Sequence, residues 1–315
     1  MKILVTGGAG FIGSNFINYW LRNHPEDHIV NIDKLTYASD PANVDANLIN
    51  DNYSFVRGDI CDMKLVDQLV KDSDSIINFA AESHVDNSIQ SPEPFIMSNY
   101  FGTFSILEAV RKYDVRFHHV STDEVYGSLS LESADNFNEN SKYAPRNPYS
   151  ASKAASDLLV KAYVNTYNVR ATISNCGNNF GPNQHPEKLI PKTIPVYGDG
   201  KQVRDWVFAE DHCMALDLIL KKGRMGETYL VSSKNEFNNL ELVEKILDML
   251  SAERSLIRFV KDRPGHDIRY SMNPEKIETE LGWKPGFSFE EALKVTVEHY
   301  RVNLSRYLGK RMTIT

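Results

Sequence analysis

Short apolar runs alternate with longer stretches of mixed polarity through the first half of the chain. Runs with the length of buried strands lie near residues 2–6, 28–33, 53–57, 74–80, 116–121 and 169–174. Stretches with the length of helices lie near residues 11–23, 62–71, 94–113 and 149–168. Because strands that alternate with helices are typical of a doubly wound parallel sheet with helices on both faces, we predict an α/β fold.

The pattern becomes irregular after about residue 174. Turns rich in Gly, Pro and Asn are predicted at residues 178–182 and 195–200, before helices near 210–221, 239–251 and 289–304. We therefore predict a first domain over residues 1–174 and a smaller lobe, mainly over residues 175–315, that closes over it. Segments within about 203–232 are expected to return to the first domain.

The first predicted strand runs directly into a glycine-rich turn. Gly7, Gly10 and Gly13 allow a tight turn, a close approach of the backbone to a pyrophosphate, and close packing of the next helix on the sheet. That helix, which begins near Phe11 and Ile12, would offer its N–H groups and its positive dipole end to phosphates. The motif therefore predicts a dinucleotide site.

The second predicted strand ends in Asp33, twenty residues after Gly13. A carboxylate at this distance accepts hydrogen bonds from an adenosine ribose and repels a 2′-phosphate, which favours NAD over NADP. Asp59 and Ile60 follow the third predicted strand, where they would either reach the adenine or form a simple strand-ending turn.

Small and polar residues end several of the predicted strands. The carboxyl ends of parallel strands meet at one edge of the sheet, where ligands of such folds bind. The residues expected at this edge are Gly7, Asp33, Ala80, Ala81, Ser121, Thr122 and Asn175. We predict that they converge on one cleft.

Tyr149 and Lys153 form a second chemical motif. Residues four apart share a helix face, so Lys153 is expected beside Tyr149. Tyrosine titrates near ~10, and a neighbouring ammonium group would lower its pKa and allow it to act as a base. An exposed helix face is the alternative explanation of this spacing when it is taken alone.

Asp123 and Glu124 directly follow Thr122 at the end of a predicted strand. Two adjacent carboxyl groups serve acid–base chemistry when their environments push their pKa values apart, so that one is protonated while the other is ionised. A solvated turn is the alternative. The predicted position at the edge of the sheet favours a catalytic pair.

The composition indicates a globular protein with a small-molecule partner. Of 315 residues, 42% are hydrophobic and 24% are charged, and the net charge of −7 argues against binding to a nucleic acid polymer. No apolar run approaches the ~20 residues of a membrane helix, and residues 1–20 lack a signal-peptide layout. A cytoplasmic location with no membrane partner is expected. The spacing of Cys61, Cys176, Cys213 and the nine histidines suggests neither disulfides nor a metal site.

With its further motifs, the chain resembles the extended short-chain dehydrogenase/reductase family, and within it the nucleotide-sugar dehydratases. The motifs that carry the resemblance are residues 6–13, 33–38, 80–86, 121–127, 148–153, 185–191 and 263–267. The chain departs from the family pattern at Asn87, at residues 175–177, and in a shorter stretch between Ile194 and Pro195.

The resemblance implies a Rossmann sheet with a smaller carboxyl-terminal substrate lobe, NAD as cofactor and dTDP-glucose as substrate. In the implied reaction C4 of the sugar is oxidised, water is eliminated across C5 and C6, and hydride returns to C6, for deoxysugar biosynthesis of the rhamnose type. Tyr149, assisted by Thr122 and Lys153, would take the C4 hydroxyl proton. Glu124 would remove the C5 proton, and Asp123 would protonate the departing C6 hydroxyl. A homodimer that pairs through the helices near 94–113 and 149–168 is also implied.

The resemblance assigns residues to each ligand. The implied cofactor contacts are Gly7, Gly10, Phe11, Ile12, Gly13, Asp33, Lys34, Leu35, Thr36, Asp59, Ile60, Ala80, Ala81, Ser83, Asn99, Tyr149, Lys153 and Asn179. The implied substrate contacts are Ser83, His84, Thr122, Asn178, Lys188, Leu189, Pro195, Val196, Tyr197, Arg204, Asn235, Arg263, His266 and Asp267. Among these, residues 195–197 would line the thymine, and the arginine side chains suit a diphosphate.

Three other functions stay open at the level of the sequence. A nucleotide-sugar 4-epimerase would share the fold, NAD and the Tyr149/Lys153 pair, but such enzymes carry small residues where Asp123 and Glu124 stand. A dehydratase could act on GDP-mannose or a UDP-sugar instead. A non-enzymatic NAD-sensing protein should have lost at least one of the catalytic groups, and all of them are present.

Overall fold

A parallel sheet of seven strands forms the centre of the part of the chain that the computed structural model describes, residues 1–185 and 195–308. The strands of these described residues, in chain order, are β1 (Lys2–Thr6), β2 (His28–Asp33), β3 (Tyr53–Arg57), β4 (Ser75–Asn78), β5 (Arg116–Thr122), β6 (Ala171–Cys176), β7 (Asn178–Phe180), β8 (Pro195–Tyr197), β9 (Val203–Phe208), β10 (Thr228–Val231), β11 (Glu236–Asn238) and β12 (Arg258–Val260). The central sheet has the order β10-β6-β5-β4-β1-β2-β3, and the predicted doubly wound parallel fold is confirmed.

Helices cover both faces of this sheet. Over the described residues, the α-helices of five residues or more, on the sheet and in the smaller lobe, are α1 (Phe11–Asn23), α2 (Met63–Lys71), α3 (Val85–Gln90), α4 (Gly102–Tyr113), α5 (Pro148–Tyr167), α6 (Ala209–Lys222), α7 (Asn239–Met249), α8 (Glu275–Leu281), α9 (Phe289–Val302) and α10 (Leu304–Leu308). None of the helices within residues 1–185 and 195–308 combines the length and the hydrophobicity needed to cross a bilayer.

Alternation along the central strands divides the core into two layers. Leu4 of β1 packs with Ile106 of α4 on one face, whereas Ile3 and Val5 pack with Trp20 of α1 on the other. Successive side chains of a strand point to opposite faces, and a strand buried on both faces is therefore apolar throughout. β1 is therefore packed on both of its faces in the interior of the sheet, and the glycine turn follows its carboxyl end.

The strand order reverses next to β1, which lies between β4 and β2. Chain crossovers leave the sheet in opposite directions on the two sides of this point and open a crevice at the carboxyl ends of the strands. The glycine turn after β1 and the catalytic motif after β5 both follow strand ends on this edge.

The helix predicted near 94–113 is interrupted in the structure. It starts as a short helix at Glu93–Phe95, passes through a π-helical stretch at Ile96–Phe101, and continues as α4. Such π-helical stretches are common at functional sites. Here the stretch buries Asn99 between the chain segment after β4 and helix α5.

The smaller lobe contains strands where turns were predicted. Residues Asn178–Phe180 form β7 beside β9, and Pro195–Tyr197 form β8 beside β12, so the prediction of turns alone was wrong there. Strands of three residues are too short to show an alternating pattern, and Asn and Pro favour turns locally. After β9, helix α6 packs against α1 and β10 joins the edge of the central sheet.

Candidate active site

A cleft opens at the carboxyl ends of the central strands. The predicted site residues that line it are Gly7, Gly10, Phe11, Ile12, Gly13, Asp33, Lys34, Thr36, Asp59, Ile60, Ala80, Ala81, Ser83, Thr122, Asp123, Glu124, Tyr149, Lys153, Asn178 and Asn179. The cleft therefore brings the glycine turn, the two carboxyl groups and the Tyr149/Lys153 pair together.

The glycine turn at the base of the cleft has no room for side chains. Gly7 has a φ of +70°, and a Cβ atom there would lie 2.7 Å from the backbone of Ala80. A Cβ atom on Gly13 would lie 2.4 Å from the carbonyl oxygen of Gly7. These close approaches explain why glycine is needed at both positions.

Helix α1 begins at this turn with its amino end open toward the cleft. Its N-cap is Gly10, which supplies no side-chain hydrogen bond, and its first turn contains no acidic residue. The first N–H groups of the helix and its positive dipole end are therefore left to an anionic ligand. The geometry fits a dinucleotide pyrophosphate.

Asp33 lies on the adjacent wall of the cleft, at the end of β2. Its buried carboxylate accepts hydrogen bonds from Ala9 N at 2.9 Å, Leu35 N at 2.7 Å and Ser39 Oγ at 2.9 Å. A carboxylate offers about four lone-pair positions, so one remains for a ribose hydroxyl. The negative charge at this wall disfavours a 2′-phosphate.

Two of the predicted cofactor residues do not line the cleft. Leu35 takes a φ of +59° and packs against the core, contributing its backbone N–H to Asp33. Asn99 is buried below the wall, where it accepts a hydrogen bond from Glu82 N at 2.8 Å and donates one to Ser152 Oγ at 2.8 Å. Both residues support the wall from behind.

The two carboxyl groups follow β5 in a single turn of 3₁₀ helix, Asp123–Tyr126, capped by the Thr122 hydroxyl. Burial and the neighbouring Glu124 raise the pKa of Asp123 well above its ordinary value. Burial also raises the pKa of Glu124, but the guanidinium groups of Arg263 and Arg204 oppose this shift. The environments therefore favour a protonated Asp123 next to a more readily ionised Glu124.

The hydrogen bonds of the Asp123 and Glu124 side chains also differ. Asp123 Oδ1 accepts a hydrogen bond from Thr122 Oγ1 at 3.1 Å, while its buried Oδ2 has no hydrogen-bond partner within the described chain. Glu124 Oε2 accepts a hydrogen bond from Asn147 Nδ2 at 3.4 Å. A buried carboxyl oxygen without a partner at a cleft wall is available to a ligand hydroxyl.

Tyr149 and Lys153 lie on the cleft side of α5, but the expected effect on the tyrosine is absent. The pKa of Tyr149 is raised, because burial and the Glu124 charge outweigh the hydrogen bond from Thr122. The Lys153 ammonium group instead donates to Val120 O at 2.9 Å, and burial lowers its pKa to about 8. The geometry therefore does not support the prediction that Lys153 lowers the pKa of Tyr149.

The predicted arginine residues of the substrate lobe face Glu124 from the other side. Arg204 is buried and donates to the carbonyl oxygens of Val203 and Asp267, and its guanidinium group lies 4.2 Å from the ring centre of Tyr270. In this geometry Arg204 is held by the protein, whereas Arg263 Nε has no hydrogen-bond partner within the described residues. Arg263 is thus the more available of the two for an anion.

The remaining predicted substrate residues do not line the cleft described above. Tyr197 donates to Asp86 Oδ2 at 3.0 Å, and Arg263 lies 3.7 Å from the other oxygen of Asp86. The other placements are Pro195 and Val196 on β8, His84 at the N-cap of α3, Asn235 bonded to Asp205, His266 paired with Asp262, and Asp267 bonded to Tyr270. Lys188 and Leu189 lie outside the described residues.

Several residues of the site were missed at the sequence level. Asp157 lies under the cleft in contact with Ser121 and Asn175, and Asn147 contacts Glu124. The position of Asp157 four residues after Lys153 could have placed it on the same helix face. Asn147 gave a signal as an N-cap before Pro148, but its contact with Glu124 depends on the tertiary fold.

The described residues do not include a metal centre. No group of three or more His, Cys, Asp or Glu side chains in residues 1–185 and 195–308 is arranged to hold an ion.

Comparison with known proteins agrees with this geometry. Residues 4–296 match the family described as GDP-mannose 4,6 dehydratase. The chain is 48% identical to the dTDP-glucose 4,6-dehydratase of Mycobacterium tuberculosis, over 97% of this chain and 95% of that protein. It is 50% identical to the low-salt glycan biosynthesis protein Agl12 of Haloferax volcanii, over 95% of this chain and 98% of that protein.

A solved structure shows the same fold. The crystal structure of DesIV, the dTDP-glucose 4,6-dehydratase of Streptomyces venezuelae with NAD and TYD bound, superposes with a TM-score of 0.95 at 44% identity, covering 99% of this chain and 100% of that one. The resemblance inferred from the motifs is confirmed. The chain belongs to the extended short-chain dehydrogenase/reductase family, in the branch of the dTDP-glucose 4,6-dehydratases.

Proposed function

We propose that this chain is an NAD-dependent dehydratase that converts dTDP-glucose to dTDP-4-keto-6-deoxyglucose, for deoxysugar biosynthesis of the rhamnose type. The observation that carries the proposal is the Asp123/Glu124 pair. Both carboxyl groups line the same cleft as Tyr149, and their environments separate their protonation states. A 4-epimerase has no use for a second acid–base pair, because it neither removes the C5 proton nor expels the C6 hydroxyl.

The oxidation step uses the phenol of Tyr149. Tyr149 takes the proton of the sugar C4 hydroxyl, and Thr122 orients the phenol through its hydroxyl group. Burial and the Glu124 charge raise the pKa of Tyr149, so a neighbouring positive charge would favour its action as a base. The glycine turn and Asp33 would hold NAD⁺, which when bound would supply the hydride-transfer chemistry of the cycle.

The elimination step uses the two carboxyl groups. Once C4 is a ketone, the C5 proton is acidic, and the Glu124 carboxylate removes it. Protonated Asp123 donates its proton to the C6 hydroxyl, which leaves as water while a double bond forms between C5 and C6. After hydride has reached C6, a proton returns to C5, so atoms and charges balance over the cycle. The partnerless Oδ2 of Asp123 is the atom suited to meet the C6 hydroxyl.

The nucleotide portion of the substrate is assigned to the smaller lobe. Arg263 has a free Nε and faces Glu124, so it would hold the diphosphate close to the reacting sugar. Tyr197 on β8 would line the base, whereas the neighbouring Val196 is fully buried against Val243 and Leu247 and would support β8 from behind. The relatives named for dTDP-glucose support this nucleotide, whereas the description of the matching family names GDP-mannose.

Mass spectrometry of the reaction products tests the substrate assignment. Purified protein is incubated with dTDP-glucose, GDP-mannose or UDP-glucose, without added reductant. We expect dTDP-glucose alone to lose one molecule of water. Loss of water from GDP-mannose alone would reassign the substrate. The protein is also denatured and its supernatant assayed for dinucleotide, where NAD(H) is expected and NADP alone would contradict the cofactor assignment.

We further infer that two copies of the chain pair through the surface formed by residues 96–104 and α5. Ile96, Met97 and Leu158 are exposed there by 55%, 44% and 56%. Apolar side chains grouped on adjacent helices favour a protein contact. Sedimentation equilibrium is expected to give the mass of two chains, and the mass of one chain would contradict the pairing.

We also infer that the enzyme is located in the cytoplasm. Cys61, Cys176 and Cys213 all carry free thiols in the described structure. Proteins of reducing compartments keep their cysteines in this state.

A further inference from the structure

We propose that Asp157 is a positioning residue for this reaction, which holds the Lys153 ammonium group in its charged form and fixes the end of β5 against helix α5. The inference rests on the proposed function. It concerns a buried carboxylate that touches neither the glycine turn nor the Asp123/Glu124 pair.

Asp157 lies four residues after Lys153 on α5, and its side chain is fully buried. Its Oδ2 accepts hydrogen bonds from Ser121 Oγ at 2.9 Å, Tyr143 OH at 3.1 Å and Asn175 Nδ2 at 3.1 Å. Its Oδ1 lies 3.3 Å from His119 Nε2. Donors from β5, β6 and the 128–147 segment thus converge on one carboxylate.

The adjacent histidine supplies no charge. Thr6 donates to Asn78 Oδ1 at 2.5 Å, which turns Asn78 Nδ2 toward His119 Nδ1 at 3.2 Å. His119 Nε2 lies between Asp157 Oδ1, at 3.3 Å, and Lys153 Nζ, at 3.4 Å. Burial lowers the pKa of His119 to about 4, so the ring is neutral at physiological pH.

The charge that balances Asp157 is therefore Lys153. The donors around Asp157 keep its pKa low despite burial, so it is an anion. Lys153 Nζ lies 3.4 Å from the same His119 Nε2 and is buried as well. Burial lowers the pKa of Lys153 to about 8, and the Asp157 charge opposes that effect. A buried charge without its counter-charge is strongly disfavoured.

Other titratable groups around the carboxylate do not replace this pairing. Tyr126 and Tyr143 have raised pKa values and stay neutral. Lys161 contacts Tyr143 OH at 3.1 Å, and the Asp157 charge partly offsets the lowering of its pKa by burial, but its side chain is only partly buried. Tyr149, on the same helix, also has a raised pKa and stays neutral. Lys153 is thus the fully buried cation of this network in the described structure.

Asp157 also links the residues assigned to the oxidation step with those assigned to the elimination step. Asn175 Nδ2 donates both to Asp157 and to the carbonyl oxygen of Thr122, at 3.0 Å. Ser121 directly precedes Thr122 and donates to Asp157. The strand end that carries Asp123 and Glu124 is thereby tied to the helix that carries Tyr149 and Lys153.

The experiment compares Asp157→Asn with Tyr143→Phe in the holoenzyme. Asp157→Asn keeps the shape of the side chain and removes its charge, whereas Tyr143→Phe removes one hydrogen bond and keeps the charge. Trace acetylation with acetic anhydride over a pH series, read by mass spectrometry, gives the titration midpoint of Lys153. We expect this midpoint to fall by about one pH unit or more in Asp157→Asn and to stay unchanged in Tyr143→Phe.

The pH profile of turnover provides a second readout. In Asp157→Asn, the alkaline limb of kcat/KM is expected to move to lower pH, with little change in KM. A variant that loses thermal stability but titrates Lys153 as the wild type does would overturn the proposal. Should Asp157→Asn fail to fold, Asp157→Glu keeps the charge and is expected to keep the Lys153 midpoint, so a fall there would also overturn it.

The acetylation midpoint separates this inference from the proposed function. If the wild type does not convert dTDP-glucose, the proposed function fails while the labelling experiment still measures the Lys153 charge. If the wild type converts the substrate and Asp157→Asn leaves the Lys153 midpoint in place, only the role of Asp157 fails.

Discussion

Two neighbouring carboxyl groups with almost the same intrinsic chemistry acquire different tasks through their surroundings. Asp123 is buried beside another carboxyl group, and its pKa is raised strongly. Glu124 faces two guanidinium groups, which partly offset its burial. The sequence alone indicated that the pair needed separate pKa values. Arg204 lowers the pKa of both carboxyl groups, whereas Arg263, which lies far away in the chain, lowers that of Glu124 and thereby favours Asp123 as the acid.

Replacing either carboxyl group should stop elimination without stopping oxidation. Asp123→Asn cannot deliver a proton to the C6 oxygen, and Glu124→Gln cannot take the C5 proton. We expect each variant to turn over about 10²–10⁴-fold more slowly, while a single-turnover mixture still accumulates the absorbance of reduced cofactor. A variant that neither turns over nor reduces the cofactor would show that the carboxyl groups act earlier than assigned.

Replacing the phenol should give the opposite pattern. Tyr149→Phe removes the group that takes the C4 hydroxyl proton, so we expect the rate of cofactor reduction to fall by about 10²-fold or more. Stopped-flow absorbance after mixing with dTDP-glucose measures that rate. Normal cofactor reduction in Tyr149→Phe would assign the proton transfer to another group, and Asp123→Asn serves as the control in which reduction persists.

At the scale of elements, one residue couples the start of α5 to the catalytic turn. Asn147 caps α5, accepting a hydrogen bond from Ser150 N at 2.8 Å, and also donates to Glu124. The cap and Pro148 could be inferred from the sequence, as could the strands and most helices, because their signals are local. The π-helical stretch and the three-residue strands could not, because long-range packing decides them.

Asn238 offers a matched control for this coupling. It caps α7 with the same reciprocal pattern, accepting from Glu241 N at 2.8 Å, in an exposed part of the lobe. Asn147→Ala and Asn238→Ala should each lower the free energy of unfolding by about 1 kcal/mol, measured in urea. Only Asn147→Ala is expected to lower kcat as well. Equal activity in the two variants would mean that the contact with Glu124 has no catalytic effect.

At the scale of the whole molecule, the cofactor half of the cleft was more predictable than the substrate half. The glycine turn and Asp33 lie on one βαβ unit, so their spacing in the sequence carries their geometry. Arg204, in contrast, is held by the carbonyl oxygen of Asp267, and Arg263 meets Asp86. These contacts join segments far apart in the chain. Family resemblance could name such residues, but only the fold shows which of their side chains already form hydrogen bonds within the protein.

The measurement that tests the central claim most directly is the isotopic analysis of the product formed by the wild type in deuterated water. Because Glu124 removes the C5 proton and can exchange it with solvent, we expect dTDP-4-keto-6-deoxyglucose with deuterium at C5 and without the C6 oxygen. Formation of dTDP-galactose that retains the C6 oxygen and carries no deuterium at C5 would contradict the account and establish an epimerase instead.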